Sequence, residues 1–266
     1  MKKRLEGKVA IIAGAGCVGP GWGNGRSMAY RFMEEGASIL AVDKDEDALA
    51  ETVERCAPFG EHIKTHICDA TNGKAVEGMI EACVKNFNRL DILVNNVGGS
   101  RRGGPVELSE EDWDSQIDHN LKTVFLGCKF AIPQMEKKGG GSIVNIASTS
   151  GIRWSGSAQV AYAATKAGVI QMSRVIAVEY ASKKIRVNSI LPGQLHTPMV
   201  EVRLADQRTG GDVGKLLEQR QSRIPLGFMG DGRDTANAAV FLASDEARFV
   251  TGTELIVDGG MTARCD

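Results

Sequence analysis

Short apolar runs alternate with amphipathic helical stretches from one end of this chain to the other, and that alternation leaves few folds open. The runs fall at 9–13, 38–42, 63–68, 90–94, 142–147, 185–191 and 254–257. Between them, the spacing predicts helices over 25–35, 45–57, 71–86, 109–119, 121–137, 158–182 and 234–243. Strands that are apolar on both faces and separated by helices belong to a parallel sheet covered on both sides. Right-handed crossovers then give an α/β, doubly wound, Rossmann-type sheet. No linker, internal repeat or low-complexity tract interrupts the 266 residues, so one domain over 1–266 is expected. The polar stretch 198–224, with Gly210 and Gly211, reads as an irregularly helical lid.

Composition removes several function classes. A net charge of -1 gives no electrostatic case for a nucleic-acid partner or an anionic membrane surface. No apolar run approaches the ~18 residues of a membrane span. The first run, 9–13, is too short for a signal-peptide core and reads as a strand. The six cysteines, Cys17, Cys56, Cys68, Cys83, Cys128 and Cys265, form no CxxC pair and no zinc-finger spacing with His. Free thiols in a reducing cytoplasm are expected, and no metal site.

The first turn after a strand carries the sequence GAGCVGPGWGNG, residues 14–25. Glycines between a strand and a helix let the backbone approach phosphate, and the helix N-terminus supplies positive potential. Gly14, Gly23 and Gly25 are the candidate contacts to a dinucleotide. Asp43 ends the second strand, where a carboxylate accepts hydrogen bonds from the adenosine ribose and repels a 2′-phosphate. That favours NAD over NADP, although Lys44 beside it is able to pair with a phosphate. Asp69, followed by Ala70, ends the third strand, either meeting the adenine edge or capping the next helix.

Tyr162 and Lys166 lie four apart on the helix expected over 158–182, hence on one face, one turn apart. A free tyrosine titrates near ~10. A neighbouring ammonium favours the phenolate and makes the tyrosine a usable acid or base near neutrality. Ser148 follows the apolar run before that helix, where a hydroxyl is placed to hydrogen-bond a substrate oxygen.

These residues, in this order, resemble the short-chain dehydrogenase/reductase family over essentially the whole chain. The matching positions are the 14–25 loop, Asp69, Asn95-Asn96-Val97-Gly98, Asn120, Ser148, Tyr162-Ala163-Ala164-Thr165-Lys166, Pro192-Gly193 and Asp258-Gly259-Gly260. The resemblance implies that Tyr162 is the acid/base and that Lys166 lowers its pKa and holds the nicotinamide ribose. It implies that Ser148 polarises the substrate oxygen, with Ser150 the lesser candidate. Asn120 would anchor a water on the proton relay. Asn95 would support the cofactor ribose, Gly98 and Pro192-Gly193 would line the cofactor site, and Thr197 would touch the carboxamide or phosphate. Two departures stand out. About five residues are inserted between Gly14 and Gly23, including Pro20, which has no N–H to donate, and Trp22, which either covers the pyrophosphate, packs on the surface or reaches a neighbouring subunit. Val97 stands where the family usually has alanine.

The chemistry implied is hydride transfer between a nicotinamide and a secondary alcohol or ketone, whether a sugar, polyol, cyclic alcohol or hydroxy acid, with a 3-oxoacyl-thioester reductase using NADPH as the alternative and an idle NAD-binding module as the remote one. The pocket is expected from 99–104, 152–159, Gln194 and the lid. Arg101, Arg102 and Arg153 either converge on an anionic substrate or stand solvated, and Trp154 is either a pocket wall or ordinary packing. The resemblance, together with the strand and turn over 252–260, implies a homotetramer. The helix bearing Tyr162 fits a buried helix–helix contact, since Ala163, Ala167, Val169, Ile170, Val175 and Ile176 are too many for one stripe; the alternative is a monomer whose extra face the 198–224 stretch covers.

Overall fold

All seven apolar runs are strands in the computed structural model, which describes residues 3–265. They are β1 Val9–Ala13, β2 Ser38–Asp43, β3 Ile63–Ile67, β4 Ile92–Asn95, β5 Gly141–Ile146, β6 Ile185–Pro192 and β7 Glu254–Val257. Every pairing is parallel, and the order across the sheet is β3-β2-β1-β4-β5-β6-β7. β3 is an edge strand and half exposed, which explains its mixed sequence IKTHI.

Alternation along the strands sorts the core into two layers. Val9, Ile11 and Ala13 of β1, with Leu40, Leu93, Ile143 and Val187, face helices α3 (Gly73–Phe87), α5 (Thr123–Lys137) and α6 (Val160–Tyr180). Ala10 and Ile12, with Ile39, Val94, Val144 and Ile190, face α1 (Asn24–Glu34), α2 (Glu46–Cys56) and α9 (Gly232–Ala243). Local chemistry sets the ends of these helices. Asp45 caps α2 by accepting from the Ala48 N–H, and Pro58 lies just past its end. Asn72 caps α3, which stops at Asn88 in the left-handed region at φ 58°. Asp231 and Asp234 form a capping box on α9.

The two helices expected over 109–119 and 121–137 are one continuous rod. Helix α4 (Glu110–Ile117) passes into α5 through a π-helical turn, Asp118–Lys122. Such turns occur mostly as single insertions, often at functional sites. Here the turn contains Asn120. The 198–224 stretch holds a π-helical turn Val200–Leu204 and two short helices, α7 (Ala205–Thr209) and α8 (Val213–Gln221). Val200, Leu204, Ala205 and Leu216 give it a small apolar core of its own.

The strand order reverses direction between β1 and β4. A crevice opens there at the carboxyl ends of the strands. The turns that follow β1, β2, β3, β4, β5 and β6 all meet in it.

Candidate active site

The crevice encloses about 610 Å³ and draws its walls from nearly every segment singled out in the sequence. At its centre lies the turn between β1 and α1. Gly23 precedes α1 without a side-chain cap, so the first-turn N–H groups face the crevice unclaimed by a side chain. A Cβ on Gly25 would overlap the Gly14 carbonyl oxygen, so the helix starts as close to the strand end as backbone allows. This bare, close-packed helix start fits a dinucleotide pyrophosphate. Asp43 forms the next wall. Its Oδ2 accepts from the Gly16 N–H at 3.0 Å, and its Oδ1 accepts from the Lys44 N–H at 2.8 Å. Asp69 and Ala70 line the crevice beyond it. Asp69 accepts from the Thr71 N–H and hydroxyl, and these bonds hold its carboxyl below the usual range.

Within the enlarged glycine loop, Gly16, Cys17 and Val18 line the crevice, whereas the insertion over 19–22 packs away from it. Trp22 is edge-on to Tyr30 at 5.2 Å between ring centroids, and Tyr30 is edge-on to Phe59 at 4.8 Å. The Arg55 guanidinium lies 4.9 Å from the Trp22 ring. Trp22 is therefore a surface anchor rather than a cover for the pyrophosphate. Fully buried Arg26 ties the rest of the insertion down. It donates to the Gly21 carbonyl at 3.0 Å and pairs with Glu51 at 2.7 Å. On its other side the insertion abuts the 198–224 stretch: a Cβ on Gly19 would lie 3.1 Å from Val202.

The catalytic candidates stand on the other side of the switch point. Lys166 is 4% exposed and donates to the Ile146 carbonyl at 2.8 Å, so the end of β5 fixes its ammonium. Its Nζ lies 5.7 Å from the Tyr162 ring centroid, as the shared helix face requires. Burial pulls the Lys166 pKa down from 10.5 to about 8. Ser148 caps the turn after β5, its Oγ accepting from the Ser150 N–H at 3.1 Å, and it lines the crevice with Tyr162 and Lys166. Ser150 is occupied elsewhere: it donates to Ser155 at 3.0 Å and accepts from Gln159 at 2.7 Å. Pro192, Gly193 and Thr197 complete the wall after β6, and Gly98 that after β4.

One expectation is corrected. Asn95 does not face the crevice. Its amide donates to the Asn145 Oδ1 at 2.8 Å, across the β4–β5 register pair, and Asn145 donates to the Ser173 hydroxyl at 2.9 Å. Successive strand residues point to opposite faces, so Asn96 lines the crevice instead and donates to the Gly14 carbonyl at 2.8 Å. Asn95 thus belongs to a buried polar chain that locks α6, and with it Tyr162 and Lys166, onto the sheet. Sequence reading missed Asn145 and Ser173; a polar residue inside the apolar run 142–147 was the available signal.

The side chain of Asn120 is spent on the protein itself. Fully buried, it accepts from the Gly99 N–H at 3.0 Å and donates to the Gly99 and Gln116 carbonyls at 3.0 and 3.1 Å. A Cβ on Gly98 would lie 2.6 Å from its Oδ1 and 3.3 Å from the Lys166 Nζ. Asn120 therefore clamps the 98–99 backbone against Lys166.

The three arginines expected near the mouth do not converge. Arg101 lines the crevice but pairs with Asp112 at 3.0 Å, Arg102 donates to the Gln207 carbonyl at 3.1 Å, and Arg153 is exposed outside the crevice. Trp154 is 76% exposed and forms no crevice wall. Instead, the 198–224 stretch contributes Arg203 and Arg220, which the sequence reading did not single out. Among the described residues no group of three or more His, Cys, Asp or Glu side chains is placed to hold a metal ion. No helix among them is long and apolar enough to cross a membrane.

Known proteins agree with this geometry. A family model described as enoyl-(acyl carrier protein) reductase matches residues 20–262. The 3-oxoacyl-[acyl-carrier-protein] reductase FabG of Thermotoga maritima is 38% identical over 258 residues, 97% of this chain and 99% of that protein. The 2,5-dichloro-2,5-cyclohexadiene-1,4-diol dehydrogenase LinX of Sphingobium indicum is 38% identical over 260 residues, 98% of each. A crystal structure from Burkholderia xenovorans, assigned to the short-chain dehydrogenases/reductases, superposes with a TM-score of 0.95 at 60% identity over 99% of this chain and 100% of that one. This chain belongs to the short-chain dehydrogenase/reductase family, oxidoreductases that use a nicotinamide cofactor and act on a CH–OH group.

Proposed function

We propose that the enzyme is an NAD-dependent dehydrogenase of a small secondary alcohol, with Tyr162 as its acid/base. The observation that carries this reading is the arrangement of Tyr162, Lys166 and Ser148 around one end of the crevice, opposite the acidic end formed by Asp43 and Asp69. A bound nicotinamide supplies the hydride acceptor or donor. The protein does the rest. In the oxidation direction Tyr162 takes the proton of the substrate hydroxyl through its phenolic oxygen. Ser148 hydrogen-bonds the substrate oxygen. The Lys166 ammonium, held by the Ile146 carbonyl, stabilises negative charge on the tyrosine oxygen and binds ribose. Asn120 acts as a positioning residue through Gly98 and Gly99. In reduction the same groups work in reverse.

The preference for NAD rests on Asp43. The bonds from Gly16 and Lys44 hold its carboxylate in the crevice wall, where a 2′-phosphate would meet a negative charge. Exposed Lys44 is the opposing influence. The likeness to FabG favours a second reading, a 3-oxoacyl-thioester reductase working with NADPH. One experiment separates them: cofactor turnover on a panel of secondary alcohols with NAD or NADP and of 3-oxoacyl thioesters with NADH or NADPH. Alcohol oxidation with NAD supports the first reading; thioester reduction confined to NADPH sinks it.

We place the enzyme in a reducing compartment, the cytoplasm. All six cysteines are free thiols, and burial pushes Cys56 and Cys68 up to about 11 and Cys83 and Cys128 up to about 12, which suits inert core packing. We also propose a homotetramer. Val175 and Val178 on α6 are 54% and 80% exposed, so the lid does not cover this face, and Phe125 on α5 is 49% exposed.

A further inference from the structure

Segments from around the crevice meet again beside Ser155 and Gln159, between β5 and α6. Gln159 donates through Nε2 to the Ser150 and Ser155 hydroxyls, at 2.7 Å to each, and the Ser150 hydroxyl donates to that of Ser155 at 3.0 Å. The Ser155 carbonyl accepts from Gln194, just after β6, at 3.0 Å. It also accepts from Arg223, at the end of the 198–224 stretch, at 3.2 Å. The segment after β4 joins through its backbone: Gly103 donates to the Ala158 carbonyl at 3.0 Å and accepts from the Val160 N–H at 3.1 Å. Gln159 differs from the rest of this set. It is the N-cap of α6, its carbonyl accepting the Ala163 N–H at 2.9 Å, yet its side chain makes no cap bond. Capping residues are normally Ser, Thr, Asp or Asn, whose side-chain oxygen accepts from the first turn of their own helix. Gln159 is 6% exposed and instead spends the two N–H groups of its amide on two serine hydroxyls. A local rule broken at a helix start beside a reaction site points to a use in that site.

We infer that Gln159 is a positioning residue for the reaction, holding the Ser148 hydroxyl in register with Tyr162. This rests on the roles given above to Ser148 and Tyr162 and adds the group that sets their spacing. The Ser148 Oγ accepts from the Ser150 N–H at 3.1 Å. A hydroxyl has one proton and two lone pairs, so this bond takes a lone pair and leaves the proton as what Ser148 donates to the substrate oxygen. The Ser150 side chain is the handle by which Gln159 grips that turn. Gln159 also starts the helix that carries Tyr162, three residues further on. One amide therefore ties the serine turn to the frame of the tyrosine. Ser155 is the second post of the clamp, itself fixed through its carbonyl by Gln194 and Arg223. Both Ser148 and Tyr162 address one substrate oxygen, so their separation matters more than the place of either alone. A misplacement of about 1 Å in such a constellation costs on the order of 10²-fold in rate.

The test is a double-mutant cycle between Gln159 and Ser148, run with the substrate and cofactor that the wild type turns over best. Gln159→Met keeps the length of the side chain and removes both donors. It should lower kcat about 10- to 100-fold, while NAD affinity, read by fluorescence titration, stays close to that of the wild type. Ser148→Ala should lower kcat about 10²–10³-fold, the scale of one donor to a reacting oxygen. In the Ser148→Ala background, Gln159→Met should change kcat by less than about threefold, because the hydroxyl it positions is gone. Ser150→Ala removes only the hydroxyl that Gln159 grips; it should lower kcat in the wild-type background and not in Ser148→Ala, and it carries the same cycle if Gln159→Met folds poorly. Equal losses in the two backgrounds mean a merely structural role, or a direct contact with substrate, and overturn the inference. Wild-type kcat in Gln159→Met and Ser150→Ala, with Ser148→Ala impaired, overturns it and leaves the roles of Ser148 and Tyr162 standing. Wild-type kcat in Ser148→Ala removes the role of Ser148 and the inference with it. The cycle reads the same on an alcohol with NAD or on a 3-oxoacyl thioester with NADPH, so failure of the NAD-dependent alcohol reading leaves the inference to be decided by the cycle alone.

Discussion

Lys166→Met should make the folded enzyme at least as stable as the wild type at pH 7 while nearly abolishing turnover. The magnitude follows from where the ammonium sits. Burial lowers its pKa from 10.5 to about 8, which corresponds to about 3 kcal/mol against the charged form. Methionine has similar length and volume and carries no charge, so the substitution removes that cost. It also removes the 2.8 Å bond to the Ile146 carbonyl, leaving a buried acceptor unmet at about 1–3 kcal/mol. The balance is a gain of about 0–2 kcal/mol at neutral pH, or a Tm raised by up to about 8 °C for a chain of this size. The sign with pH is distinctive. Below about 8 the lysine is charged in both the folded and the unfolded chain, and the cost is fully present. Between about 8 and 10.5 the folded chain has released a proton that the unfolded chain still holds, so wild-type stability rises with pH through this window. The variant lacks that rise. Denaturant titrations of both proteins without cofactor, at one protein concentration and across this pH range, read the difference. A loss of more than about 2 kcal/mol at pH 7, or a difference that does not change with pH, refutes the reasoning.

Other outcomes follow from the same geometry. Asp43→Ala should narrow the preference for NAD over NADP, read as the ratio of kcat/KM values, and a wild type that already prefers NADP overturns this role for Asp43. Gly25→Ala should fold less stably and lose most of its NAD affinity, because its Cβ would overlap the Gly14 carbonyl oxygen; NAD titration by fluorescence checks this, and wild-type affinity contradicts it. Light scattering at micromolar concentration should give about four times the 28.4 kDa chain mass, and Val178→Glu on the exposed face of α6 should lower it; a monomeric wild type refutes the homotetramer.

What was legible in the sequence was local. The central strands could be read because each is apolar over its own few residues, while β3 at the sheet edge is mixed. Tyr162 and Lys166 could be paired because four residues on a helix fix a shared face. Contacts that close through the fold were not legible. Asn95 and Asn96 are neighbours in sequence, and only the strand register decides that the first meets Asn145 and the second Gly14. Trp22 left three roles open until α1 and α2 brought Tyr30 and Arg55 beside it. The π-helical turn at Asn120 has no periodicity signal, since one extra residue per turn is invisible in a helical pattern. Arg220 read as one more charge in a polar insertion, and only the return of α8 over Leu195 buries it. Arg101 and Arg102, neighbours in sequence, are held apart by Asp112 and by the Gln207 carbonyl.

The central claim is that Tyr162 moves the proton while the rest of the crevice binds and orients. Its most direct test is Tyr162→Phe, measured with the alcohol that the wild type oxidises best, by nicotinamide absorbance for turnover and by fluorescence titration for cofactor binding. Removing one hydroxyl should cut kcat by ~10²–10⁴-fold, the scale of general acid–base catalysis. Affinity for NAD should stay close to that of the wild type, because Lys166 keeps its bond to the Ile146 carbonyl and the glycine turn is untouched. Near-wild-type turnover in Tyr162→Phe would contradict the account.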